Sequence, residues 1–414
     1  MIEIALIIFL IVVGFFTLYL TLLTALGFLY NAKAKEFSSS KKRGNQKKHC
    51  FAIIVPAHNE EQVIAETVSN LVDINYPKEL FHVFVVADNC TDKTSSYALR
   101  KRVTVIEREN KKFLGKGYAL EWCFKLLLKN QWRNKDIPKF FDAFLVIDAD
   151  TTVSKNILEV LNTYLNQGCK AIQCADLVKP NPGSWSSEIT RVGLYLYNYV
   201  RPLGRKMLNC SAGLRGNGMC FTTNLLKKIP WLAFSQTEDL EYGLVLLLNG
   251  IPVTFAPEAK VQAVMPINPQ NAETQRARWE FGRFPLLKKY SSVLLKEAVK
   301  KKSFKIFDSF IELITPAFVN LSLFTFAMLI INMLLTSLDV LTTNTFLLLW
   351  ILLFALQLFY VLGGLYLSNA DINAYKALWY APKYILWKLI LYVKVLSKGH
   401  TKLWIRTARE SASH

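Results

Sequence analysis

Glycine and proline are scarce in these 414 residues (18 and 14), and aromatics reach 13%, so a collagen-like or largely disordered chain is excluded. The seven cysteines, Cys50, Cys90, Cys123, Cys169, Cys174, Cys210 and Cys220, form no CxxC pair, and the five histidines form no ligand-spaced cluster. Reduced thiols are therefore expected, with neither a disulfide framework nor a zinc site. Acid is the minority charge, 31 Asp+Glu against 50 Lys+Arg, for a net +19. Charge of either sign is nearly missing from residues 4–30 and 309–368, which excludes a purely soluble enzyme. What remains is a membrane protein with a large water-soluble domain.

The excess of basic residues sits beside the apolar runs: KAKEFSSSKKRGNQKK at 33–48, KEAVKKKSFK at 296–305, and the C-terminal tail. Such juxtamembrane clusters favour an anionic cytoplasmic leaflet, so membrane lipids are the expected partner. No nucleic-acid motif accompanies them, and no nucleic-acid partner is expected. Residues 4–30 are long enough to span, since about 20 apolar residues suffice. The basic run follows this span, so the positive-inside rule puts the N-terminus outside and residue 33 onward in the cytosol. A second span begins near residue 311 and a third covers about 345–367, joined by SLDVLTTN, which has no Lys or Arg and belongs outside. The expected location is the plasma (cytoplasmic) membrane, crossed several times, with the soluble domain in the cytoplasm. The tail mixes Trp, Tyr and Leu with Lys383, Lys388 and Lys394, which suits an amphipathic helix lying in the interface, a fourth span interrupted by these lysines being the alternative.

Between residues 51 and 308 short apolar runs alternate with helical patterns. FAIIVPA (51–57), HVFVVAD (82–88), VTVIE (103–107) and AFLVIDAD (143–150) read as strands. Glu60 and Glu61 open a helix carrying Ile64, Val68, Leu71 and Val72 at helical spacing, and GYALEWCFKLLLKN forms another. This alternation predicts an α/β fold with a mostly parallel sheet, whose ligands bind at the C-terminal strand ends.

Three acidic motifs fall at such places. Asp88 closes its strand in VVADNCTDKT, where a plain turn is the alternative. Asp148 and Asp150 follow five apolar residues, and their spacing of two on an extended chain points both carboxylates one way. Paired carboxylates suit Mg²⁺ or Mn²⁺, which prefer oxygen ligands and bridge phosphates; the alternative is a cap for the helix that follows. Glu238 and Asp239 open TEDLEYGLVLLLNG, either as first-turn acids capping a helix or with one of them as a general base. In QRARWEFGRF (275–284), Arg276, Arg278 and Arg283 flank Trp279; guanidinium suits phosphate, and indole suits a sugar face or the bilayer interface.

The order of FAIIVPAHNEE, ADNCTDKT, GKGYAL, DAD, TED and QxxRW resembles the processive membrane branch of the family 2 glycosyltransferases, the synthases of cellulose, chitin and hyaluronan. The resemblance covers about residues 51–290. It implies a GT-A fold and inverting transfer from a nucleotide sugar, usually a UDP-sugar. It implies that Ala57, Glu60 and Asp88 hold uracil and ribose, with Lys116 near the nucleotide. Asp148 and Asp150 resemble the DxD pair, Asp150 being the more direct ligand of Mg²⁺ or Mn²⁺. Asp239 resembles the catalytic base, with Glu238 beside it. Gln275, Arg278 and Trp279 match the motif that lies over the diphosphate and acceptor sugar. RGNGMCF (215–221) falls on the acceptor side and departs from the synthases' usual sequence.

The expected organisation is a transmembrane helix (1–32), a basic linker (33–50), a GT-A domain (51–270), an amphipathic interface segment (271–308), two transmembrane helices (309–368) and an interfacial tail (369–414). The leading expectation is an enzyme that extends a polysaccharide. Single addition of a sugar to a lipid-linked acceptor is the alternative, and a non-catalytic nucleotide-sugar-binding protein is a third. Three spans per copy are few to enclose a chain-sized channel, so a homo-oligomer is an expectation of the first reading.

Overall fold

The computed structural model describes residues 2–38, 47–100, 102–129, 137–138, 140–181, 183–265, 281–340 and 344–398. Along the chain run α1 (Ile2–Ser38), β1 (Phe51–Ala57), α2 (Ile64–Val72), β2 (Phe81–Asp88), α3 (Thr94–Ala98), β3 (Val103–Arg108) and α4 (Lys116–Leu128). Next come β4 (Ala143–Val146), β5 (Thr151–Val153), α5 (Ile157–Asn166), β6 (Ala171–Val178), α6 (Trp185–Tyr195) and α7 (Arg201–Met207), the last two joined by a π-helical turn, Leu196–Val200. Then follow β7 (Met219–Thr222), α8 (Thr223–Lys228), α9 (Glu238–Leu248) and β8 (Thr254–Ala263). The remaining helices are α10 (Arg283–Lys300), α11 (Phe304–Ile314), α12 (Phe318–Ser337), α13 (Thr345–Leu367), α14 (Ile372–Ala377) and α15 (Ala381–Lys398).

The described residues form two compact units. One gathers residues from 1–40, 180–208 and 311–401, the other those from 41–179 and 209–310. The second unit has a GT-A-like fold built on an eight-stranded sheet in the order β3-β2-β1-β4-β7-β6-β8-β5. β3, β2, β1 and β4 run parallel, β7 pairs antiparallel with β4 and β6, and β8 lies parallel to β6 and antiparallel to β5. Ile53, Val55, Val83, Val85 and Leu145 pack beneath Ile64, Val68 and Leu71 of α2 and Ile157, Leu158 and Leu161 of α5. Burial on both faces explains why these strands read as continuous apolar runs.

Two boundaries differ from the sequence reading. The strand at 143–150 stops at Val146, because the Thr151 N–H turns back to the Asp148 carbonyl at 3.2 Å. Asp148 and Asp150 therefore flank a turn rather than lie on extended chain. α2 begins at Ile64, not at Glu60: Asn59 has φ of 56°, and the Glu60 carbonyl accepts from Val63 and Ile64 in a preceding turn.

In the other unit three helices are long and apolar enough to cross a membrane, within Glu3–Lys33, Phe318–Ser337 and Thr345–Leu367. The second starts later than residue 311, because Pro316 lacks an N–H and separates α11 from α12. A buried amide ties these three helices. Gln357 Nε2 donates to Thr17 Oγ1 at 3.1 Å and to Thr325 Oγ1 at 2.7 Å. Residues 180–208, though enclosed by the GT-A segment in sequence, belong to this unit. Arg191 donates to both Asp371 oxygens at 3.0 and 2.9 Å, and Arg201 Nε to the Tyr360 hydroxyl at 3.1 Å.

Candidate active site

The C-terminal ends of β1 and β2 are stitched by their loops. The Glu60 N–H donates to Thr94 Oγ1 at 2.7 Å, and the Thr91 N–H to Asn59 Oδ1 at 2.7 Å. Ala57 is the buried last residue of β1. Asp88 ends β2, buried and ion-paired with Arg108 of β3. Burial pushes the Asp88 carboxyl above its ordinary value, against the pull of Arg108. His58 Nδ1 lies 2.7 Å from the Asp88 carbonyl oxygen, which ties the ends of β1 and β2 together.

Lys116 is the first residue of α4 and crosses to the next turn, where it pairs with Asp148 and donates to the Gly216 carbonyl at 2.6 Å. Burial works against its ammonium, but Asp148, Glu238 and Asp239 outweigh that cost and hold its pKa above the ordinary value. Gly216 has φ of +83°, a conformation side chains rarely adopt. A methyl group added there would lie 3.3 Å from Asp239 Oδ2 and 3.9 Å from Lys116 Nζ. The structure thus brings Lys116, Asp148 and Asp239 around one backbone position. Glu238 and Asp239 occupy the first turn of α9, and Thr237 does not cap it with its side chain; its hydroxyl donates to the Gly282 carbonyl at 3.1 Å.

Asp176, which sequence reasoning passed over, and Asn217, which it met only within RGNGMCF on the acceptor side, complete this side. Asn217, buried, accepts from the Asp148 N–H at 3.1 Å and donates to Thr151 Oγ1 at 3.0 Å and to Asp176 Oδ1 at 3.2 Å. Thr151 in turn donates to Asp150 Oδ1 at 3.3 Å. Asp176 follows a register shift between Cys174 and Ala175 in β6, the irregularity that re-aims a strand side chain. Burial, then the neighbouring Asp148, pushes its carboxyl well above the carboxylate range. The single charged residue in the otherwise uncharged strand AIQCADLV was the available signal for Asp176. The glycine-flanked asparagine of RGNGM was the signal for Asn217. The helix-cap alternative for Asp150 is not what forms, since β5 intervenes and Asn156 precedes α5. Gln275, Arg278 and Trp279 lie outside the described residues.

A profile described as "Glycosyltransferase like family 2" matches residues 48–282, more than half of the chain. The chain belongs to that family. Among curated proteins, this family 2 chain is 24% identical over 270 residues to "Probable glycosyltransferase YdaM" of Bacillus subtilis (63% of this chain, 61% of that protein). It is 25% identical over 256 residues to the "Beta-monoglucosyldiacylglycerol synthase" of Nostoc sp. (59% of this chain, 51% of that protein). The chain therefore spans between half and three fifths of the length of these relatives. Among solved structures, a mannosyltransferase from Pyrobaculum calidifontis in complex with GDP-Man and Mn²⁺ aligns with a TM-score of 0.46 and 14% identity, covering 86% of this chain and 99% of that one. Membership of the processive branch is not borne out, because the named relatives include glycolipid synthases.

Asp148 and Asp150 offer hard oxygen donors of the kind Mg²⁺ and Mn²⁺ take. Among the described residues no group of three or more His, Cys, Asp or Glu side chains is gathered to hold an ion alone. Two carboxylates on one turn fit an ion whose other ligands are phosphate oxygens, which is how Mg²⁺ is commonly held.

Proposed function

We propose that this chain is a membrane-anchored, inverting glycosyltransferase that moves one sugar from a nucleotide sugar, UDP-linked by preference, to the hydroxyl of a lipid acceptor. The observation that carries the reading is the meeting of Lys116, Asp148 and Asp239 around Gly216, which sets donor-side charges beside a candidate base. Ala57, Glu60 and Asp88 line the crevice for base and ribose. Asp239 takes the proton of the acceptor hydroxyl as its oxygen bonds to the anomeric carbon. The bond from that carbon to the diphosphate breaks on the opposite face, and the nucleoside diphosphate leaves with the electron pair. Lys116 and Arg278 offset the negative charge that develops there. Asp148 and Asp150 would hold Mg²⁺ or Mn²⁺, which would supply Lewis-acid neutralisation of the diphosphate. By the resemblance of QxxRW, Gln275 and Trp279 are assigned to the diphosphate and acceptor sugar.

The lipid acceptor is supported by relatives named as monoglucosyldiacylglycerol synthases and by the three apolar helices. Repeated addition to a polysaccharide is the second reading, favoured by the QxxRW sequence at 275–279. The test is the full chain in lipid nanodiscs with dioleoylglycerol and a panel of nucleotide sugars, its products separated by chromatography. A single glycosylated lipid is expected. A ladder of longer products would shift the reading to the polysaccharide, and no transfer from any donor by folded protein would overturn both.

A further inference from the structure

Two adjacent segments beside Lys116 repeat one pattern: Lys111-Lys112-Phe113-Leu114 and Lys227-Lys228, followed four residues later by Leu232. They lie side by side. Gly117 packs so closely on the second segment that a methyl group there would come 2.5 Å from the Ala233 carbonyl oxygen. Tyr118 stacks on Phe234 with centroids 4.3 Å apart at 10°, and Phe113 adds a third ring 5.2 Å from Tyr118. The result is an apolar row left in the open: Phe113 is 43% exposed, Leu114 53%, Leu232 64% and Phe234 39%. All four lysines are exposed as well.

We infer that this row is a membrane-docking rim, by which the GT-A-like unit dips into an anionic leaflet next to its own catalytic cleft. Phenylalanine and leucine side chains flanked by lysines suit that boundary, apolar groups entering the acyl region and ammonium groups meeting anionic headgroups. The three membrane-crossing candidates in the same chain put a bilayer within reach. A sugar is the poorer occupant, because the faces of Tyr118 and Phe234 cover each other and the leucines offer no hydrogen bonds. The inference deepens the proposed reading, on which it rests for the lipid acceptor. A rim at the cleft would shorten the path of a lipid hydroxyl to Asp239.

The test needs no turnover, so it stands or falls apart from that reading. Leu114→Cys and Leu232→Cys are each labelled with bimane, in full chain whose partly exposed Cys90 and Cys169 are replaced by serine. Ser69→Cys on the exposed side of α2 serves as the control. The proteins are reconstituted into phosphatidylcholine–phosphatidylglycerol vesicles with shallow doxyl-lipid quenchers. Probes at 114 and 232 are expected to lose about half their fluorescence, and the probe at 69 to be unaffected, for insertion at acyl-boundary depth. Quenching at neither rim position beyond the control overturns the inference. So does a blue-shifted probe that doxyl lipids do not quench, since protein, such as a second copy of this chain, would then cover the row.

Discussion

Asp239 heads a helix where an acid would be welcome for electrostatic reasons alone, so substitution has to separate two roles. Asp239 lies in the first turn after Thr237, so Asp239→Asn loses only a helix-dipole interaction and should cost under about 1 kcal/mol, with nucleotide affinity near normal. Turnover should fall by about 10² to 10⁴, the usual share of a general base. Near-normal transfer by a folded Asp239→Asn protein would remove it from the mechanism. Asn217 is a different case, since it touches no reacting atom and acts through Asp148, Thr151 and Asp176. Asn217→Ala leaves buried partners unmet and should cost about 1–3 kcal/mol. It should also raise the Mn²⁺ concentration needed for UDP to stabilise the protein against heat. Thr151→Val, which removes one link of the same chain, should shift that requirement in the same direction by less. An unchanged Mn²⁺ requirement in both variants would mean that the network only packs the strand ends.

Among the elements, the three apolar helices carry a test of how buried polar groups are valued. Gln357 donates to Thr17 and Thr325, while its buried Oε1 meets no hydrogen-bond donor among the described residues. Gln357→Leu loses two hydrogen bonds but also removes that unmet oxygen, so its cost should be about 1 kcal/mol or less. Thr17→Val with Thr325→Val leaves the amide without acceptors and should cost more, about 1–3 kcal/mol, in denaturation from detergent micelles. The opposite ranking would contradict this account. In the other unit, Lys289 of α10 donates to Glu241 of α9 at 2.7 Å. Burial raises the Glu241 carboxyl, but the hydrogen bond from Lys289 helps outweigh this and bring it below its ordinary 4.5. A depressed acid contributes stability above its unfolded value and loses it as pH falls through the native one. The gap between wild type and Lys289→Met, under about 1 kcal/mol for so exposed a lysine, should hold at neutral pH and close below 4.5. These elements also show what could be read from the amino acids alone. β1 and β2 were legible because they are buried almost throughout, and α13 because its sequence is apolar along nearly its whole length. The antiparallel half of the sheet was not, since β7 has four residues and owes its place to β4 and β6 rather than to its own pattern. The Asp148–Asp150 turn was hidden for a similar reason: the Asp148 N–H is held by Asn217, 69 residues further on. The acids themselves were visible because a carboxylate after an apolar run has few bland explanations. Asp176 was not, because one charged residue inside a strand looks like noise.

For the whole molecule, the question is which side of the membrane the cleft faces. Three apolar helices give one consistent answer by the positive-inside rule. α1 leads into the basic run at 33–48, and α13 is followed by a tail in which lysine recurs at 376, 383, 388, 394 and 398. Residues 337–344 between α12 and α13 contain no Lys or Arg. Both basic stretches are therefore expected on the cytoplasmic side, with the loop outside and residues 47–308 in the cytoplasm. Ser337 closes α12 and is exposed, so it is the position to probe. In cells carrying Ser337→Cys, with Cys90 and Cys169 replaced by serine, a membrane-impermeant maleimide should label position 337 without permeabilisation. The remaining thiols, Cys50, Cys123, Cys174, Cys210 and Cys220, are buried and should stay silent in either case. A companion Ser69→Cys should react only after the membrane is opened. If the two swapped, with Ser69→Cys labelled in intact cells and Ser337→Cys protected, the cleft would face outward. Asp239 and Lys116 would then sit on the wrong side of the bilayer for a cytosolic nucleotide sugar, and the proposed reaction would fail with the topology.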